Sequence, residues 1–213
     1  VRVLAACSVA LCVAACGQPP APLTTTSAPP RDVKPANIER VRTELPPGYE
    51  VTGVAGPAAP LAVWGFGAGW RVDPPQCAAL ADPAPSARTR GWSASGAGGI
   101  VYVVVADGAP ALDPALLAEC RQWTVAAGHT SGTVTRVDAP AIEGAQTVGL
   151  ATDAQTVVEG GTQTRSHADT FTAYLGEHVA FVTVVSDPGS AQPPLGAEFA
   201  SGLLVKTVLA LRG

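Results

Sequence analysis

Apolar residues run almost unbroken from Ile100 to Ala106, with valine at four of the seven positions. A β-branched stretch of that length predicts a central strand. Three more segments, 145–158, 162–175 and 178–186, read as consecutive strands joined at Gly160-Gly161 and Gly176-Glu177, an antiparallel meander. If Gly176-Glu177 is a two-residue turn, His167 faces Ser186 and His178 lies beside Leu175. Asp169, two positions along, then shares a sheet face with His167. Tyr49 to Val54 predicts another strand, and Gly96-Ala97-Gly98-Gly99 a hairpin turn leading into Ile100.

Helical spacing marks the remaining elements. Ile38, Val41 and Leu45 share one face of a short helix that Pro46-Pro47-Gly48 stops. Asp73-Pro74-Pro75-Gln76 reads as an N-cap, a first-turn proline and a capping-box glutamine, placing Cys77 in a helix that ends at Asp82-Pro83. Asp113-Pro114 predicts a further cap, with Leu116, Leu117, Cys120, Trp123 and Ala127 on one helical face and Gly128 as the stop. Residues 195–211 are apolar on most sides, which predicts a buried C-terminal helix. The sum is an α+β domain, an antiparallel sheet of about five to six strands packed by helices.

A different pattern opens the chain. Arg2 precedes an uncharged apolar run to Ala15, and Val13-Ala14-Ala15-Cys16-Gly17 closes it with small residues before a cysteine. That order predicts an export signal over residues 1–15 ending in a lipobox, with Cys16 acylated. At about 13 residues the run is shorter than the ~20 a spanning helix needs. Residues 16–35 follow as the lipidated cysteine and a Pro/Thr-rich tether, extended at about 3.1 Å per residue. Residues 36–213 then form a single extracytoplasmic domain.

Charge and cysteines narrow the classes. The chain carries a net charge of −4, and loss of residues 1–15 removes only Arg2, giving −5. Such a mildly acidic surface excludes nucleic acid as a partner and offers anionic lipid no polybasic patch, so the acyl group must hold the membrane. Past the lipobox only Cys77 and Cys120 remain, and an even pair in an exported chain predicts one disulfide.

Candidate chemistry is sparse. His167, Asp169 and Ser186 form a nominal Ser/His/Asp set, but an open meander supplies neither a strained nucleophile elbow nor an oxyanion hole. These residues read as solvated strand-end groups. His129, His167 and His178 fall at no metal-ligand spacing, so neither a metal nor a cofactor is expected. In Trp64-Gly65-Phe66-Gly67-Ala68-Gly69-Trp70, an extended strand would set Trp64, Phe66 and Trp70 on one side. They read as a core-facing aromatic edge or, alternatively, as a wall for a sugar or acyl ligand.

Together with the lipobox and tether, Trp70-Arg71-Val72-Asp73-Pro74-Pro75-Gln76-Cys77-Ala78-Ala79-Leu80 and Gly99-Ile100-Val101-Tyr102 give a resemblance. The chain resembles mycobacterial cell-envelope lipoproteins of unassigned function and, distantly, the extracellular sensor domain of PknH-type kinases. That resemblance implies helices packed on an antiparallel sheet with a ligand cleft. It implies no catalytic residues, and this chain has one cysteine pair where those sensor domains usually have two. The expected function is a lipid-anchored, non-catalytic, sensor-like module at the extracytoplasmic face of the cell membrane, with an envelope lipid, glycan or protein as partner. An envelope hydrolase acting on esters or glycans and a protein-binding adaptor are the alternatives.

Overall fold

The computed structural model describes residues 32–54, 56 and 58–213, the side chain of Glu159 excepted. The predicted leader, Cys16 and the tether up to residue 31 lie outside the described residues. Among the described residues, nine strands form one sheet in which every neighbouring pair is antiparallel. In chain order they are β1 (Glu50–Gly53), β2 (Arg71–Asp73), β3 (Thr89–Gly96), β4 (Gly99–Asp107) and β5 (Gln122–Ala127). β6 (Thr130–Val137), β7 (Gln146–Val157), β8 (Gln163–Leu175) and β9 (His178–Ser186) complete the set. Across the sheet the order is β1-β3-β4-β9-β8-β7-β6-β5-β2. Five to six strands were expected and nine are present; the α+β class, the C-terminal helix and the disulfide stand as read.

Two helical layers cover the sheet, displaced from one another. On one face a 3₁₀ helix, Pro35–Glu44, and the long C-terminal helix Gly196–Arg212 pack on β3, β4, β8 and β9. Ile38, Val41, Leu203, Leu204, Val208 and Leu211 meet Trp92, Val103, Phe171 and Val182 there. The opposite face carries three short helices, α1 (Pro60–Val63), α2 (Ala78–Ala81) and α3 (Pro114–Glu119), so the C-terminal helix is α4. Leu61, Trp64, Phe66 and Leu80 cover Trp123, Val125, Val134 and Leu150 of β5 to β7 there. The layers overlap over β8 and β9, where residues 168–175 and 179–184 are buried without alternation. The double cover reaches β4, where Val103 to Ala106 are all buried, whereas β5 alternates exposed and buried along its length.

Two of the three threonine hydroxyls in the overlap are paired, whereas that of Thr172 is buried without a partner among the described residues. Trp64 Nε1 donates to Thr170 Oγ1 at 2.8 Å, and Thr170 and Thr183 share a hydroxyl bond at 2.9 Å. On the other face Trp92 Nε1 donates to the Ile38 carbonyl at 3.1 Å. Each of these two indoles thereby ties a helical layer to the sheet, whereas the buried Trp123 Nε1 has no partner among the described residues.

Three readings need correction. Residues 113–127 are not one helix: Asp113 caps α3 through its Oδ1 and the Ala115 amide, but the helix ends at Glu119 and β5 starts at Gln122. Trp123, Val125 and Ala127 alternate with exposed residues, and that period of two prevails over the helical one. Trp64 to Trp70 is not a strand: Trp64 caps α1, and Gly65 and Gly69 take φ of 93° and 76°, which breaks extension. Asp73 belongs to β2 and caps nothing; the turn Pro75–Cys77 starts after Pro74, and Gln76 bonds Glu119 instead. The short helix expected around Ile38 and Val41 is present as the 3₁₀ helix Pro35–Glu44, in keeping with the three-residue spacing of those two buried residues. Packing also begins before residue 36, since the Lys34 amide donates to the Leu211 carbonyl at 2.8 Å.

Cys77 and Cys120 are disulfide-bonded with Cα atoms 5.6 Å apart, both wholly buried. The bridge pins the turn ahead of α2 to the C-cap of α3. Closing a loop of 43 residues removes about 4 kcal/mol of unfolded-chain entropy. Urea unfolding with and without reductant should therefore differ by roughly 2–5 kcal/mol, and equal midpoints would show that the bridge contributes nothing.

Candidate functional site

Displacement of the two layers leaves one half-face of the sheet open. Phe171 and Ala173 of β8 pack under α4. Asp169, still buried, then His167 and Arg165 follow on the same face at intervals of two, the last two beyond the helical cover. Strand pairing then assembles whole rows from residues distant in sequence. Asp73, Thr124, Thr133, Asp153, His167 and Ser186 stand opposite one another across β2, β5, β6, β7, β8 and β9. The adjacent row is Arg71, Ala126, Ser131, Gln155 and Arg165. Over these rows lies a groove of about 740 Å³ lined by Thr124, Ser131, Thr133, Asp153, Gln155 and Arg165, with Pro188 at its β9 end.

His167 is the electrostatic centre of this face. Its Nδ1 lies 2.7 Å from Asp153 Oδ1 and its Nε2 3.3 Å from Asp169 Oδ1. The hydrogen bond to Asp169, aided by Asp153 and opposed by partial burial, raises the imidazole pKa to about 9. At neutral pH both ring nitrogens therefore donate. Asp169 is 8% exposed, so its carboxylate depends on the imidazolium for compensation. His167, Asp169 and Ser186 do meet as the register predicted. Their chemistry is nevertheless that of a buried ion pair, since a ring donating from both nitrogens has no lone pair to take a serine proton. The reading of Asp169 as a solvated strand-end residue is corrected by that burial.

Asp153 escaped the sequence reading for a definite reason. A two-residue turn at Gly160-Gly161 would set His167 opposite Ala154, whose side chain belongs to the other face. The connection has three residues instead, Glu159–Gly161, with Val158 and Thr162 closing it by a 2.8 Å backbone bond. Gly160 and Gly161 both take φ near 80°, which that loop demands. Register shifts by one, and Asp153 faces His167.

The other predicted residues do not converge. Trp64 and Phe66 are buried in the core, 2% and 4% exposed, Trp64 tilted against Trp123 with ring centroids 6.1 Å apart. Phe66 fits against Gly132, where a Cβ would come within 2.9 Å of the ring. Trp70 is partly buried, and with Phe66 it edges a separate cleft of about 380 Å³. His178 pairs with Asp107 at 3.4 Å, and the His129 carbonyl accepts from the Val157 amide. Among the described residues no cluster of three or more histidine, cysteine or acidic side chains could hold a metal ion. Nor, among them, is any helix long and apolar enough to cross a membrane.

This architecture, a nine-stranded antiparallel sheet with displaced helical layers, has known counterparts. The chain belongs to the family described as Domain of unknown function (DUF5642), whose model matches residues 34–212. The X-ray structure of an uncharacterized protein from Mycobacterium smegmatis, the Rv0999 ortholog, is similar, with a TM-score of 0.63 and 22% sequence identity. The likeness covers 85% of this chain and 98% of that one, and at such identity it speaks for the fold alone. No curated protein matches the chain.

The raised His167 pKa sets a pH window. A folded-state pKa of about 9 against 6.5 unfolded means its contribution is full below about pH 6.5 and fades as pH rises through 9. Urea midpoints of the wild type should fall across that interval, and His167→Gln should flatten the fall. An unchanged slope in the variant would remove the imidazolium from this role.

Proposed function

We propose that this chain is a cell-envelope lipoprotein, acylated at Cys16 and held on the extracytoplasmic face of the cell membrane, whose domain binds a ligand or partner without catalysis. The observation that carries the binding part is the open polar groove, a half-face left bare where the helical layers are displaced. A partly buried ion pair at its edge, where a base would have to sit, favours recognition over hydrolysis. The Cys77–Cys120 bridge suits an oxidising compartment, and the order of residues 1–16 supplies the export and anchoring signal. A sensor-like role rests on the sequence resemblance alone, and the neighbour's source agrees with a mycobacterial origin.

Two measurements test the parts separately. Growth with an alkyne-tagged fatty acid should label the wild type and not Cys16→Ala, and the variant should leave the membrane fraction; labelling that survives the substitution would sink the anchor. A fluorophosphonate probe should leave Ser186 unmodified. Covalent adduct there would overturn the non-catalytic reading.

A further inference from the structure

The groove's chemistry narrows its occupant, and the inference rests on the binding reading above. An acyl chain needs a continuous apolar lining, yet Val125 and Ala154 beneath this groove are buried in the opposite core, which leaves only Ala126 and Pro188 as apolar side chains facing it. A polyanion needs net positive charge, but Arg71 and Arg165 in one row are balanced by Asp73 and Asp153 in the next. A peptide adding as a strand needs a free ladder, and β5 to β8 are paired on both sides. What remains is a bed of hydroxyl, amide and charged side chains interrupted by Ala126 and Pro188, with no net charge.

Spacing points the same way. Neighbouring strands lie about 4.8 Å apart, so each row offers one polar side chain per strand at that interval. Asp73, Thr124, Thr133, Asp153, His167 and Ser186 thus form a polar line spanning roughly 24 Å, perpendicular to the strands. Rings of an extended sugar polymer advance by a comparable step. Thr124 and Thr133 line the groove, and among the described residues no hydrogen bond within the protein engages their hydroxyls, so both are open to a ligand. Asp153 is oriented by His167 through Oδ1, and its second oxygen can accept from a sugar hydroxyl.

We infer that the face built by β5 to β8 binds a neutral, extended glycan laid across the strands. Thr124, Thr133, Gln155 and Arg165 meet successive rings, and His167 positions Asp153 against one of them. Without an aromatic platform the contact relies on hydrogen bonds alone, so the affinity is weak and additive along the chain.

Amide NMR on the isotope-labelled full-length chain tests this, with cellotetraose, chitotetraose and a linear α-linked mannotetraose as probes. At least one should shift amides confined to β5, β6, β7 and β8. Thr124→Val with Thr133→Val, near-isosteric changes at half-buried or exposed strand positions, should weaken that binding by about tenfold or more. Shifts confined to the Phe66 and Trp70 cleft, or shifts that survive the double variant, would overturn the assignment. Silence with all three probes would also overturn it, and a native envelope extract then separates the two readings. Shifts of the same amides by the extract leave the groove a binding site for another class of ligand, whereas silence there too removes the binding reading itself.

Discussion

Burial of β8 and β9 on both faces at once is the constraint from which the rest of this structure follows. A strand covered on two sides cannot alternate, and here even its threonines must be packed. Thr170 and Thr183 meet that demand by bonding one another and taking the Trp64 indole as a third partner. Because helices of both layers reach this strip, each layer extends away from it in one direction only. The outer strands are therefore half-covered, on opposite faces at the two ends of the sheet. The open groove is a by-product of where the overlap falls.

The same constraint explains what could be read from sequence. Ile100 to Ala106 and the 145–186 meander sit at or near the doubly covered strip, and their apolar runs are long enough to be legible. The β8–β9 register followed from a two-residue turn and holds position by position. The strands that escaped notice lie outward. β6 buries only Val134 to the full extent, β2 has three residues, and β3 alternates Trp92 and Ala94 with serines. One-sided cover leaves few large residues to betray a strand, and in β5 the apolar set Trp123 and Ala127 also fits a helix when joined to Leu116 and Cys120.

The site was half visible for a related reason. His167, Asp169 and Ser186 were brought together by a turn whose type two residues specify. Asp153 depends on a loop with one more residue, and a slip of one moves a side chain through the sheet. Burial of Asp169 could not be foreseen either, since it depends on how far α4 reaches along β8. Sequence supplied the partners of an ion pair, whereas tertiary cover decided that it is an ion pair and not a relay.

The way the domain begins has a mechanical meaning. The Lys34 amide is bonded to the carbonyl of Leu211, and the Asn37 side chain to that of Ala210, so the first packed residues are fastened to the last turn of the terminal helix. Tension arriving from upstream is thus delivered to α4 and, through Leu211 and Val208, into the middle of the sheet. It does not peel an outer strand. A pull applied at residue 34 would therefore meet α4, the most deeply seated helix, before any outer strand.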